Sequence, residues 1–214
     1  MVQNEDFMAF WKPTVKSLIE KNDPAGLDHL LSSKPDMANE GITIPFDLFC
    51  QTTAHPLHRI ADAVFSNRIS DQDALELAKV LLKHGASIEG FQGSKQDAPI
   101  LAAASLHAEQ YGIFLLENGA DSNVIGSDGA SALHWAAYCG SDKLVVALIA
   151  AGAKINLTDS QHQSTPLQWA IHCITSNDTA NKANQAECIK LLISAGADTE
   201  GLDQEAKAII SDGI

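Results

Sequence analysis

Four Gly-Ala pairs punctuate this chain, at Gly85-Ala86, Gly119-Ala120, Gly152-Ala153 and Gly196-Ala197. Each closes an apolar run of helical character: Ala78–Leu82, Ile113–Leu116, Leu144–Ile149 and Ile189–Ile193. The pairs are separated by 34, 33 and 44 residues. A recurrence at this period implies a stack of small units, none of which can bury its apolar face alone. The functional question then becomes what the stacked surface holds, rather than where a catalytic centre lies.

A second signal runs in phase with the first. Pro56-Leu57-His58, Pro99-Ile100-Leu101, Ala132-Leu133-His134 and Pro166-Leu167-Gln168 precede the Gly-Ala pairs by about twenty residues, or about thirty in the longer first and fourth units. A Thr or Ser at the start caps a helix, and Pro fills the first turn, where no backbone donor is missed. Small residues such as Ala102-Ala103-Ala104 and Ala136-Ala137 let neighbouring helices approach closely. The glycine after the second helix supplies a left-handed terminus at no steric cost. An ordinary helical bundle would have no cause to repeat Gly-Ala in register.

Thr165-Pro166-Leu167, Ala132-Leu133-His134-Trp135-Ala136-Ala137, and the endings Gly119-Ala120-Asp121-Ser122-Asn123 and Gly152-Ala153-Lys154-Ile155-Asn156 resemble the ankyrin repeat. That family's pattern runs Thr-Pro-Leu-His-x-Ala, an apolar second helix, then Gly-Ala-Asp-x-Asn. The resemblance covers residues 50–201 well and 12–40 loosely. It implies an all-α, ankyrin-type helical repeat solenoid whose units are joined by β-turn-like loops.

Three segments are expected along the chain. Residues 1–52 read as a degenerate capping repeat followed by a folded-back finger, with Lys34-Pro35-Asp36-Met37-Ala38-Asn39 standing where a Gly-Ala-Asp ending belongs. Residues 53–201 carry four repeats, and 202–214 form a capping helix and tail. The first and fourth repeats hold inserts near Phe65–Asp73 and Thr175–Asn184, expected on one side of the stack, and the latter, polar and Asn-rich, is predicted as a solvated loop or a helix extension.

Composition narrows the partner. The net charge is −13, and residues 96–142 contain no Lys or Arg. Such a surface repels phosphate, so nucleic acid is not the expected partner. Either a basic protein is the natural complement, or the acidity merely keeps the chain dissolved. The start lacks a basic secretory n-region, and the longest uncharged apolar stretch, Leu144–Ala153, is too short to span a bilayer. Cys50, Cys139, Cys173 and Cys188 show no CxxC pairing, so a reducing cytoplasm is the simpler home.

Several residues invite chemistry. His55 and His58 lie at helical spacing with Cys50 upstream, and His134 and His172 sit near Cys139 and Cys173. Neither set supplies the third and fourth ligands of a zinc site. By the resemblance, His58 and His134 tie neighbouring turns together. A Cys/His nucleophile needs positive surroundings, and these are acidic. No cofactor, metal or catalytic residue is expected.

The resemblance implies instead that first-helix positions and turn tips line a concave groove that grips another protein. By register these are Lys95, Asp97, Ser105, Ser127, Asp128, Trp135, Tyr138, Gln161, His162, Trp169 and His172, with Ser164 also at a turn tip. Trp135 and Trp169 occupy equivalent places, so they read either as packing between units or as anchors. Gly129 and Gln163 share a slot that the family fills with glycine, which predicts a differently bent fourth turn. The expected function is a non-catalytic interaction module acting as a monomer. The alternatives are an acidic inhibitor or immunity-type antidote of a basic enzyme and, behind it, a Cys/His-dependent enzyme.

Overall fold

The computed structural model describes residues 13–43, 53–91, 98–175 and 182–211. Helices come in pairs: α1 (Val15–Glu20) with α2 (Pro24–Ser33), α3 (Pro56–Phe65) with α4 (Asp71–Lys83), and α5 (Pro99–Ser105) with α6 (Glu109–Glu117). Then follow α7 (Ala132–Cys139) with α8 (Asp142–Ala150), α9 (Pro166–Thr175) with α10 (Lys182–Ser194), and a final α11 (Gln204–Ser211). First helices pack in one layer, α1 on α3, α5, α7 and α9 in series; second helices pack in another, α2 on α4, α6, α8 and α10. One apolar core threads the stack from Val15 to Ala206. The N-terminal pair joins this step in phase.

Local chemistry explains the boundaries. Thr14 caps α1 by accepting from Ser17 N at 3.1 Å, and Asp23 caps α2 by accepting from Gly26 N at 2.8 Å. In α7 and α9 the cap is reciprocal: Ser131 N donates to His134 Nδ1 at 3.1 Å, and Thr165 N to Gln168 Oε1 at 2.8 Å. The His or Gln of the repeated motif is therefore a capping residue first.

The four Gly-Ala pairs end α4, α6, α8 and α10 alike. Ala86, Ala120, Ala153 and Ala197 each donate N–H to the carbonyl five residues back, on Leu81, Leu115, Leu148 and Leu192, all at 3.0 Å. The glycine N–H groups bond the next carbonyls, also at 3.0 Å, completing the Schellman arrangement. A Cβ at any of these four glycines would meet nothing within 4 Å, and their φ values are 83°, 94°, 83° and 96°. Backbone conformation, not crowding, demands glycine there.

Asparagine side chains then lace the units together. Asn123 Oδ1 accepts from Lys154 N at 2.9 Å while its Nδ2 donates to Gly152 O at 3.0 Å. Asn156 does the same to Asp198 N and Gly196 O, and Asn39 to Ser87 N and Gly85 O. Asn39 thus gives the degenerate ending of the first pair the bonds of a full one. In the remaining rung Glu89 stands in: its Oε1 accepts from Asp121 N at 2.8 Å, and its Oε2 is buried with no hydrogen bond.

The first insert is taken up largely as helix. α3 and α9 have ten residues each, against seven in α5 and eight in α7, and α4 and α10 have thirteen against nine in α6 and α8. Most of the second insert's loop lies outside the described residues, as does most of the proposed finger. The finger's ends pair as a two-residue antiparallel ladder, Ile42 with Ala54 and Thr43 with Thr53, a small exception to the helical architecture.

Buried His55 reaches back to the preceding turn, its Nε2 lying 3.1 Å from Asn39 Oδ1, and His58, one turn into α3, faces Asp62 at 3.9 Å. His55 leads the helix, where it both caps it and looks back along the stack. The fourth turn is not bent differently: Gln163 has φ 53° beside Gly129's 79°, both left-handed. Its amide donates to Asp159 O at 3.2 Å, a local bond that offsets the cost of that backbone.

Candidate functional site

Helical spacing places Trp135 and Tyr138 three residues apart on α7, on the face that meets α9. Trp169, at the equivalent place on α9, packs against both. Its ring stands 5.1 Å from Trp135 at 85° and 5.9 Å from Tyr138 at 78°, and Trp135 and Tyr138 stand 6.4 Å apart at 85°. Three rings at near right angles to one another form a corner. They line a cavity of about 520 Å³ with His162, Ser164, Gln168 and His172, a size usual for ligand pockets. The two tryptophans are half-buried, and His162 and His172 are exposed.

One buried carboxylate organises this corner. Asp159, 1% exposed, accepts from the backbone N–H groups of His162 at 2.6 Å, Gln161 at 2.8 Å and Ser164 at 3.0 Å. It also accepts from Trp169 Nε1 at 3.1 Å. Burial raises its pKa, but the bonds from His162, Trp169, Ser164 and Gln161 outweigh this and hold it at about 2. The turn 159–164 is wrapped around this carboxylate, and the indole is locked to the turn. On the far side His134 packs against the Trp169 ring at 5.3 Å, and its Nε2 donates to Ser164 O at 3.1 Å. Because Nδ1 accepts from Ser131 N, the proton resides on Nε2. Burial lowers the His134 pKa and favours this neutral form.

The expected site residues divide by position. Trp135, Tyr138, His162, Trp169 and His172 converge on the cavity. Ser127 and Gln161 are exposed at the tips of the third and fourth turns. Asp128 joins those turns: its Oδ1 accepts from Ala130 N, and its carbonyl accepts from Ser160 N at 3.0 Å. Ser105 ends α5, its Oγ donating to Ala102 O and its carbonyl accepting from Cys139 Sγ at 3.7 Å. Lys95 and Asp97 lie outside the described residues. Gln168 and Asp159 were not singled out by register. The available clue to Asp159 was its place at the head of a polar turn, where Asp captures N–H groups two and three residues on.

Burial pushes the Cys139 thiol up to about 12, with Cys173 adding to it, and burial likewise carries Cys188 to about 12. Both stay protonated and are poor nucleophiles. Among the described residues no cluster of three His, Cys, Asp or Glu side chains could hold a metal, and no helix is long and apolar enough to cross a membrane.

The ankyrin repeat family model, in its three-copy form, matches residues 66–159 and 114–203. Among curated proteins, the nuclear factor NF-kappa-B p105 subunit of Gallus gallus is 35% identical over 95 residues. That match covers 43% of this chain and 8% of the relative, so the chain spans only a small part of that protein. Ankyrin repeats are generally protein–protein interaction modules and are typically non-catalytic. The in-phase helix pairs, the four identical Gly-Ala termini, the asparagine rungs and the family match across more than half of the chain carry one conclusion: this protein belongs to the ankyrin repeat family.

Proposed function

We propose that the protein is a non-catalytic module that holds a partner protein on the face built from its first helices and turns, with the cavity at Trp135, Tyr138 and Trp169 as the anchor point. The observation that carries this reading is the pre-set three-ring corner. Its Trp169 wall is fixed by Asp159 and His134 before any partner arrives, so docking there orders few side chains. Trp and Tyr are the residue types over-represented at binding hot spots. Capture of an identified partner by wild-type protein, compared with Trp135→Ala and Tyr138→Ala, tests it. A drop in affinity of about thirty-fold or more at either position supports the anchor role. Full affinity in both folded variants removes it.

A second reading, an acidic inhibitor or antidote that occludes a basic enzyme, is supported by the net charge of −13 and by the Lys- and Arg-free residues 96–142. Complementary charge would speed such an association and make it salt-sensitive. An identified partner that is a basic enzyme, and that loses turnover on binding, favours this role over a scaffold. Among the described residues Cys139, Cys173 and Cys188 form no disulfide, which suits action in a reducing compartment such as the cytoplasm.

A further inference from the structure

We infer that the Trp135–Tyr138–Trp169 corner is a receptor for a single arginine side chain presented by the partner protein; this rests on the partner-binding reading above and names its chemistry.

The three ring centroids lie 5.1, 5.9 and 6.4 Å apart and all three rings line one cavity, so a group seated there meets aromatic surface from each, and cation–π attraction acts within about 6 Å of a ring. Among the described residues no Lys or Arg lines the cavity. The Asp159 carboxylate behind Trp169 stays ionised, and its charge favours a cation on that side. The chain as a whole carries −13, and the segment that supplies α7 is free of basic residues up to Lys143. Charge complementarity therefore selects a cationic occupant.

The lining also discriminates among cations. Among the described residues it includes no carboxylate, since Asp159 is turned into its own loop. A lysine ammonium is strongly hydrated and would leave water without an ionic partner to receive it. A guanidinium is weakly hydrated and planar, and it stacks on aromatic faces. The Ser164 hydroxyl is a neutral acceptor for its N–H groups at the cavity lining, and Gln168 adds a further neutral polar side chain there.

The test titrates the full chain with acetyl-Gly-Arg-Gly-amide and with its citrulline and lysine counterparts, read by calorimetry and tryptophan fluorescence. Citrulline keeps the shape of arginine and lacks its charge. The expected order is arginine tightest, by about three- to thirty-fold over citrulline, with lysine also weaker than arginine. Trp135→Leu and Tyr138→Leu, checked for an intact thermal transition, should each weaken arginine binding several-fold while leaving citrulline binding nearly unchanged. Equal affinity for arginine and citrulline overturns the inference, and so does a lysine peptide binding as tightly as arginine. If the peptides behave alike while Trp135→Leu still abolishes capture of the whole partner, the binding site stands and only its arginine chemistry falls.

Discussion

The indole N–H of Trp169 donates to the Asp159 carboxylate at 3.1 Å, bridging ten residues of chain. That bond couples the wall of the aromatic corner to the turn that precedes its helix. Asp159→Ala should leave three backbone N–H groups and the indole without an acceptor, at a cost of about 2–4 kcal/mol. Urea unfolding reads the loss, and the Trp169 emission should shift to the red as the ring is released. Asp159→Asn keeps an oxygen but not the charge and should cost less. A change in Asp159→Ala below about 0.5 kcal/mol would show that the turn does not depend on this carboxylate.

Acid should destabilise the protein well before its carboxylates titrate. Burial, aided by nearby His58, holds His55 at about 4 against an ordinary value of 6.5, and burial lowers His134 in the same direction. Between those pH values the unfolded chain takes up protons that the native state refuses, so stability falls as pH falls. The His55 share, from 6.5 to about 4, amounts to about 3 kcal/mol. It is absent above pH 6.5. Unfolding free energy measured from pH 7.5 to 4, alongside histidine NMR titrations, checks this; a His55 ring that titrates near 6.5 in the native state contradicts it.

Two glycines with nearly the same backbone angle should respond differently to alanine. At Gly85, φ 83°, a Cβ meets open space, so Gly85→Ala should cost only the left-handed penalty of about 1–2 kcal/mol. At Gly129, φ 79°, the new Cβ would stand 2.6 Å from Ser160 N, a backbone atom of the next turn. Gly129→Ala should cost about 3 kcal/mol or more and pry the third and fourth turns apart. Paired denaturation curves decide it, and equal losses would refute the steric argument.

Helix α6 borrows its cap. Ala108 offers no side-chain acceptor, and Asp71 from the preceding unit accepts from Gln110 N at 2.6 Å and Tyr111 N at 2.9 Å. Glu109 repeats the device for α8, accepting from Lys143 N at 3.0 Å. Asp71→Ala should therefore cost about 1–2 kcal/mol and speed amide exchange at the start of α6, one unit away from the substitution. Faster exchange confined to α4 would count against trans-capping.

Glu89 occupies an asparagine's place in the ladder with an oxygen where the amide nitrogen would be. Asn123 and Asn156 each donate to the next unit's Gly carbonyl, whereas Glu89 Oε2 is buried with nothing to donate. Glu89→Gln restores a donor and should stabilise the stack by about 1 kcal/mol, seen as a higher urea midpoint with unchanged slope. A destabilised Glu89→Gln would mean that the charge itself is needed at that rung.

Much of this molecule is local, and what is local was legible. The Gly-Ala period, the Pro-led first helices and the small Ala136-Ala137 surface specify helix pairs through bonds that close within five residues of chain, as Ala153 N to Leu148 O does. The rung at Asn123 was visible as a motif but not as a bond, because its partner Lys154 lies a full unit away. His55 went unread for the same reason: the residue that makes it structural, Asn39, belongs to the degenerate first ending.

From its residues alone the chain determined a helix-pair unit and the glycine that ends it, since each follows from dihedral preference and short-range hydrogen bonding. Only the tertiary structure decided that Trp135, Tyr138 and Trp169 meet at right angles around one cavity, and that Asp159 turns inward to hold the third of them. The physical reason is distance along the chain: those angles are set by how α7 and α9 pack across the unit boundary, where side-chain shape, not local backbone preference, chooses the geometry.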